Sequence, residues 1–315
     1  MIFAGVDVGG TNIKIGLVDE SGKIIISSSF KTGSERPFEE VAEDIIVNLH
    51  ALCSKAEVNF KQLGGIGIGI PGTVDTAKGK VVAAANIGWY DVDIADYLST
   101  ATGLKCVVGN DANCAALGEY KYANAKGYRN IVFITLGTGI GSGIIIDGKL
   151  FSGMGSAGAE AGHLTLVYDG EPCNCGNKGC WERYASATAL INQTRKAAEE
   201  APNSILGRLV ASEGKINGKT VFIAKEKGCP VASQVVEQYL QYIGAGLISL
   251  GNILHPEAFV IGGGISHEGE HIFQPIQAQL DEYLEKSGFL PRIDVMKASL
   301  GNSAGLLGAA SLVMQ

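Results

Sequence analysis

Three cysteines and one histidine between residues 163 and 180 constrain this chain more than any other feature. Cys173, Cys175 and Cys180 follow His163, and together they supply three thiols and one imidazole. Such a set suits tetrahedral Zn²⁺, and a metal that needs all four ligands dictates how the loop between them folds. The sequence therefore predicts a structural zinc site in which protein ligands fill every position.

Two alternatives would explain the cysteines without a metal. The first is disulfide bonding, but three cysteines cannot form two disulfides, and the first ten residues lack the basic start of a secretory signal. A reducing compartment, which this predicts, favours metal binding. The second is a chance cluster in a loop. The other cysteines show no ligand spacing and are expected to be small buried hydrophobes: Cys53, Cys106, Cys114 and Cys229.

Composition predicts an ordinary globular chain. Its 315 residues are 46% hydrophobic and 18% charged, and domains usually hold roughly 100 to 200 residues, so about two domains are expected. The net charge of −7 argues against a general surface for nucleic acids or anionic membranes. Every long apolar stretch is interrupted by a charge, a proline or a strongly polar residue, so no membrane span is predicted. We expect a cytoplasmic protein.

A pattern of strands and glycine turns occurs twice along the chain. Residues 2–18 have the pattern of a strand, a Gly-Gly-Thr turn and a second strand, and residues 131–146 have a strand, a Gly-Thr-Gly-Ile-Gly turn and a second strand. Two similar strand pairs could arise by chance. Glycine and threonine in both turns favour a duplication. Two such halves facing each other would place both turns against one cleft.

The first glycine turn has the chemistry of a phosphate site. It contains Gly9, Gly10 and Thr11; glycine lets backbone N–H groups approach an anion, and threonine adds a donor. Lys14 could reach the same anion as a point charge. Asp7 would repel a phosphate directly, but its carboxylate suits Mg²⁺ held through water.

The second turn, with Gly137, Thr138 and Gly139, has the same donors without a carboxylate. Neither turn matches the P-loop or the dinucleotide-binding glycine pattern. Glycine hairpins are common, so a purely structural role stays open for either turn alone. The pair together favours a site for nucleotide phosphates.

Asp111 is a candidate general base. A strand predicted over residues 104–108 leads through Gly109 and Asn110 into an alanine-rich helix that should end near Tyr122. A helix-capping aspartate belongs at the same place, and position alone favours the cap. The catalytic alternative rests on the neighbouring Asn110 and the phosphate turns, because a carboxylate beside a transferable phosphate can accept the proton of a substrate hydroxyl.

Taken together, these motifs resemble the ROK family (repressors, open reading frames and sugar kinases), and most closely its bacterial ATP-dependent glucokinases. The likeness covers essentially the whole chain. Its most specific parts are residues 158–163 and the cluster at residues 173–182. It also rests on residues 7–14, 109–111 and 136–141.

The resemblance implies an α/β fold of the actin-like, ribonuclease H-like kind, with two domains around a cleft that binds ATP and sugar. The implied N-terminal domain is 1–115 with 301–315. The larger C-terminal domain is 116–300 and carries the zinc loop 160–182. A homo-oligomer, dimer or larger, is also expected.

The resemblance also assigns roles to residues of this chain. It implies that Asp111 is the catalytic base and lies at the sugar. Contacts to sugar hydroxyls are implied for Asn86, Asn110, Glu160, His163 and Glu182. One ring nitrogen of His163 could bind zinc while the other donates to a hydroxyl. Thr11, Thr138 and the nearby glycines are the implied phosphate contacts, and Gly263 and Gly264 resemble a turn on the adenosine side.

The resulting hypothesis is phosphoryl transfer from MgATP to the 6-hydroxyl of a hexose, with glucose expected first, giving glucose 6-phosphate and ADP. Kinases of mannose, fructose, allose or N-acetylmannosamine remain alternatives, because the named residues do not separate these sugars. A second alternative is a sugar-responsive regulator that is not an enzyme. The family's repressors carry an extra N-terminal helix-turn-helix, whereas the phosphate motif here starts at residue 7, so a DNA-binding domain is not expected.

Overall fold

The computed structural model describes residues 1–212, 214, 216–288 and 291–314. Contacts divide the chain into two compact units. Unit 1 comprises Met1–Phe133, Gly143–Ala159 and Ser299–Gln315, and unit 2 comprises Ile134–Ser142 and Glu160–Ala298. The family resemblance implies domains 1–115 with 301–315, and 116–300. These boundaries differ from the units defined by contacts, and they stay a prediction.

The strands are β1 (Ile2–Val8), β2 (Asn12–Asp19), β3 (Ile24–Lys31), β4 (Ile66–Ile70), β5 (Thr73–Asp75), β6 (Lys80–Ala84), β7 (Trp89–Val92), β8 (Cys106–Asn110), β9 (Ile131–Leu136), β10 (Ile140–Ile146), β11 (Lys149–Phe151), β12 (Ala258–Gly262) and β13 (Asp294–Lys297). The α-helices are α1 (Phe38–Lys55), α2 (Ile94–Thr102), α3 (Asp111–Tyr122), α4 (Glu182–Ala185), α5 (Ala187–Glu200), α6 (Ile205–Ser212), α7 (Thr220–Glu226), α8 (Pro230–Leu254), α9 (Glu270–Ser287) and α10 (Ala304–Val313).

The two large sheets have the same topology. The first has the order β3-β2-β1-β4-β8 and the second the order β11-β10-β9-β12-β13. In the first sheet β1 pairs antiparallel with β2 and parallel with β4, while β4 runs parallel to β8. In the second, β10 is antiparallel to β11 and β12 is parallel to β13. The shared order agrees with the repeated strand pattern, and a duplication stays its predicted explanation. A smaller sheet has the order β5-β6-β7.

Helices cover both faces of the first sheet. On one face, side chains of α1 such as Val41, Ile45 and Leu49 are fully buried in the main apolar cluster of unit 1. On the other face lies α10, which can approach because β1 and β4 carry Gly5 and Gly67 beneath it. A side chain at either glycine would collide with backbone carbonyls of α10. The small, apolar C-terminal helix therefore packs directly on the strands that lead to the first glycine turn.

Most of the predicted elements lie close to their observed bounds. The small, apolar residues 303–313 predict a helix, and this segment is α10; the strand predicted over residues 104–108 is β8, two residues later. The helical periodicity of residues 235–254 predicts a helix there. The observed α8 begins earlier, at Pro230, because proline at the first helical position costs no hydrogen bond. Among the described residues, no helix is both long enough and apolar enough to span a membrane.

Candidate functional site

The four predicted metal ligands lie together in unit 2. Their ligand atoms are all within 4.8 Å of one another. The Sγ atoms of Cys175 and Cys180 are 3.6 Å apart, and Cys173 Sγ is 3.7 Å from His163 Nδ1. Zinc–sulfur bonds of about 2.3 Å imply an edge of about 3.8 Å in a tetrahedral site. The donor types and their spacing therefore fit zinc.

Local backbone conformation and one buried tryptophan hold this loop. Gly176 and Gly179 have φ angles of 91° and 73°, which favour glycine. Trp181 directly follows the last ligand and is fully buried against Gly246 of α8, where there is no side chain to displace it. Its Nε1 donates to the Tyr242 carbonyl at 2.8 Å. The zinc loop is thus anchored on the longest helix of the unit.

Glu182 lies between the zinc loop and the second glycine turn. Its side chain is 21% exposed. The Cys173 thiol donates to Oε1 at 3.1 Å, and the Ile140 N–H donates to Oε2 at 3.4 Å. Gly139 leaves the space that this carboxylate occupies. A single side chain therefore touches both a predicted zinc ligand and the predicted phosphate turn.

The zinc loop starts with a short 3₁₀ turn, which Glu160 precedes and His163 ends. The His163 N–H donates to the Glu160 carbonyl at 3.0 Å, and the buried hydroxyl of Ser142 accepts from the Ala161 N–H at 2.9 Å. The His163 side chain is 40% exposed. Because Nδ1 faces the cysteines, Nε2 is the nitrogen left for a substrate. His163 is thus joined to Glu160 through the backbone and lies beside Glu182, with Nδ1 3.7 Å from Oε1.

The second glycine turn lies beside the predicted adenosine turn. The Gly137 N–H donates to the Gly139 carbonyl at 3.0 Å, while the Gly137 carbonyl accepts from Ala187 N at 2.9 Å, at the start of α5. Thr138 is exposed at the tip. Gly263, with a φ angle of 87°, packs against the backbone just before this turn, and Gly264 follows it at the start of a 3₁₀ turn. The predicted nucleotide-binding glycines of unit 2 are therefore neighbours.

In unit 1 the first glycine turn connects β1 to β2. The Gly9 N–H donates to the Asn12 carbonyl at 3.0 Å, which closes the turn, and Thr11 is exposed. Gly10 lies beside Asn86, since a Cβ atom at Gly10 would be 3.7 Å from the Asn86 carbonyl oxygen. The predicted sugar contact Asn86 is therefore next to a predicted phosphate turn.

Asp7 is a half-buried carboxylate in a charged surrounding. Burial, and then the negative charge of Asp111, raise its pKa from the ordinary 3.8 to about 6, while the positive charge of Lys14 opposes the rise. Lys14 stands opposite Asp7 in the β1–β2 ladder, and its Nζ donates to the Asn302 carbonyl at 2.6 Å. Gly305 of α10 packs directly against the Asp7 carboxylate.

Asp111 does not cap its helix, which corrects the reading from position alone. The N-cap is Asn110, whose Oδ1 accepts from the Asn113 N–H at 3.0 Å and whose Nδ2 donates to the Gly72 carbonyl at 3.0 Å. Asp111 is the first helical residue and accepts from the Ala112 N–H at 2.8 Å. Burial raises the pKa of its carboxyl group. Its carboxylate, directly after β8, therefore binds a proton more tightly than an exposed aspartate would.

Sequence reasoning missed the part that the C-terminal segment plays at this site. Asn302 and Gly305 contact Lys14 and Asp7 across almost the whole length of the chain. The small, apolar character of the last helix predicts close packing, and the family resemblance implies that residues 301–315 join the N-terminal domain, but neither signal predicts contacts to Asp7 and Lys14.

The comparisons with known proteins agree with this arrangement. The family model described as ROK family matches residues 3–315. The chain belongs to the ROK family. It is 40% identical to a glucokinase of Streptomyces coelicolor over 99% of this chain and 97% of that protein. It is 28% identical to a xylose repressor of Bacillus spizizenii, over 99% of this chain and 76% of the repressor.

A solved structure confirms the predicted fold class. The ROK family glucokinase of Streptomyces griseus, crystallised with glucose and AMPPNP, is 37% identical to this chain. The TM-score is 0.82, with 99% of each chain covered. The fold is thus the two-domain α/β fold of ROK sugar kinases.

Proposed function

We propose that this protein transfers the γ-phosphoryl group of MgATP to the 6-hydroxyl of a hexose, and that glucose is the first candidate. The products would be glucose 6-phosphate and ADP. The observation that carries the proposal is Asp111, a half-buried carboxylate whose helix is capped by Asn110 instead. The enzyme class, a hexokinase-type sugar kinase, is supported by the glucokinase relatives.

In this reaction Asp111 accepts the proton of the sugar hydroxyl as its oxygen attacks the γ-phosphorus and the bond to the ADP oxygen breaks. A raised pKa favours this step, because a carboxylate that binds a proton more tightly is a better general base. The helix keeps its cap on Asn110, so the Asp111 side chain is available to the substrate.

Asp7 is the residue that fits Mg²⁺. It is partly buried and stands near a second carboxylate, and a divalent cation would relieve the resulting repulsion. When bound, Mg²⁺ neutralises charge on the transferred phosphate. Lys14 would add a positive charge near the phosphates, and Thr11 and Thr138 would donate hydroxyl hydrogen bonds to them from the two glycine turns. Gly263 and Gly264 would contact the adenosine.

The zinc loop would supply the sugar-binding groups. Zn²⁺ held by three thiols and one imidazole has no open position, so its part is structural. It would fix His163 and the loop that carries Glu182, and Glu160 begins the same loop. Two carboxylates and a histidine suit a substrate with several neighbouring hydroxyls, and Asn86 and Asn110 would add amide contacts.

The test is a coupled ADP-release assay with a panel of hexoses that includes glucose, mannose, fructose, allose and N-acetylmannosamine. Phosphorus NMR of the product identifies the position of transfer. We expect turnover with MgATP and transfer to the 6-position. The 28% identity to a xylose repressor supports the second candidate, a sugar-responsive regulator. Tight sugar binding without turnover on any hexose would favour that candidate.

A further inference from the structure

A carboxylate that has no part in the proposed reaction is fully buried in unit 1. Glu119 lies on α3 and is 0% exposed. It accepts hydrogen bonds from the Leu300 N–H at 2.7 Å, the Ser299 N–H at 3.1 Å and the Ser299 hydroxyl at 3.4 Å. A buried carboxylate is costly unless its oxygens are fully satisfied. All these donors come from two consecutive residues, so Glu119 fixes the segment just before α10.

The same segment leads directly to the charged residues of the first glycine turn. Two residues after Leu300, the Asn302 carbonyl accepts from Lys14 Nζ at 2.6 Å. Gly305 then packs on the Asp7 carboxylate so closely that a Cβ atom there would be 2.6 Å from Asp7 Oδ2. The residues from 299 to 305 thus connect Glu119 to both Asp7 and Lys14.

The packing of α10 on α3 makes this connection stiff. Gly118, next to Glu119, faces the Ala304 carbonyl, and Gly308 lies on the backbone of Cys114. At both places a side chain would clash with backbone atoms, so the helices touch without flexible groups between them. A displacement of residues 299 and 300 would therefore be passed on to Gly305.

We propose that residues 299–305, anchored by Glu119, are a brace that positions Asp7 and Lys14 for phosphoryl transfer. Glu119 is then a positioning residue for the nucleotide side of the reaction, although it contacts no reacting group. This inference rests on the proposed function. It predicts that damage to the brace lowers the use of MgATP much more than sugar binding, because the segment contacts Asp7 and Lys14. Of the proposed sugar residues, Asn86, Asn110 and Asp111 share unit 1 with the brace, but Glu160, His163 and Glu182 belong to the other unit.

The first variant is Glu119→Gln, which keeps the size of the side chain but points an amide donor at the N–H groups of Ser299 and Leu300. Small misplacements of reacting groups cost up to about 10²-fold in rate. We expect kcat/KM for MgATP to fall by about 10- to 100-fold. The KM for the hexose should stay within about twofold, since nothing at the zinc loop changes.

The matched control is Ser311→Ala, near the end of α10 that lies away from residues 299–305. Ser311 is 0% exposed on α10 and bonds to the Tyr122 hydroxyl of α3 at 3.0 Å. Its loss should lower Tm without changing kcat or either KM. A second variant, Gly305→Ala, displaces Asp7 at the far end of the brace and should reproduce the selective loss for MgATP. In the double variant the two losses should not add, because both act through one connection.

A purely structural role for Glu119 predicts a different result, namely a lower Tm with kcat and both KM values unchanged, as for Ser311→Ala. That result, or an equal rise in the hexose KM, would overturn the proposal. If Glu119→Gln does not fold, Gly305→Ala decides by the same criteria. If the wild type phosphorylates no hexose, the proposed function fails, and MgATP titration then tests the brace: affinity unchanged in both variants would refute it.

Discussion

Replacing Asp7 by asparagine should make this protein more stable and less active. The carboxyl pKa of Asp7 is raised from 3.8 to about 6 in the folded protein. Each pKa unit corresponds to about 1.36 kcal/mol, so the ionised carboxylate costs the fold up to about 3 kcal/mol. Asparagine has nearly the same shape and no charge, so the variant should gain most of that free energy of unfolding at neutral pH.

The gain should depend on pH in a defined direction. Below the unfolded pKa near 3.8 the aspartic acid is protonated in both states, so it costs nothing. As the pH rises towards about 6, the unfolded chain loses its proton first and the wild type becomes relatively less stable. The difference between variant and wild type should reach roughly half of its full size at pH 5 and its full size above pH 7.

Urea unfolding at pH 5 and pH 8, without added Mg²⁺, measures this difference. The control is Asp19→Asn, because that exposed carboxylate accepts from Ser21 and Lys23 and its pKa is lowered. The control should lose stability and keep its activity. Asp7→Asn should lose about 10- to 100-fold in kcat/KM for MgATP, as expected when one charge-assisted contact disappears. A variant that is less stable than wild type at pH 8 would refute the electrostatic reasoning.

Three further substitutions test the other assigned roles. Asp111→Asn should lower kcat by about 10²- to 10⁴-fold with sugar binding retained; if more than a tenth of the wild-type kcat remains, the base lies elsewhere. Cys180→Ser should weaken zinc binding by about 10- to 100-fold and sugar binding with it, and elemental analysis that finds no stoichiometric zinc in the wild type contradicts the assignment. Glu160→Gln should cost on the order of 1.5 to 3 kcal/mol in hexose binding; a rise in the ATP KM instead would mean the sugar is misplaced.

The parts of the fold that local sequence determines could be predicted. Glycine turns between apolar runs predicted the strand pairs β1–β2 and β9–β10, which are neighbours in the two large sheets, whereas the order of the remaining strands was not predicted. The zinc ligands lie within residues 163–180, so their spacing alone indicated that they meet. Residues that are close in the sequence can adopt few relative arrangements, so their spacing predicts which of them are in contact.

Contacts between distant residues could not be predicted from the same patterns. Glu119 meets Leu300, and Lys14 meets Asn302, over separations of 181 and 288 residues. In the sequence Glu119 looks like any charged residue of a helix, and only the packing of α3 against α10 shows that it is buried. The choice between Asn110 and Asp111 as helix cap also lies beyond pattern, because it depends on one hydrogen bond to Asn113.

Asp7 and Asp111 are the places where unit 1 departs most clearly from what folding alone favours. Each carries a pKa that burial raises, and the negative charge of Asp111 raises the pKa of Asp7 further. The main apolar cluster of the same unit is almost entirely excluded from solvent and offsets this cost. Features that lower the stability of the fold, such as carboxyl groups with perturbed pKa values, concentrate at functional sites. The same reasoning explains the glycine under Asp7, since a larger residue would fill the space that this charge requires.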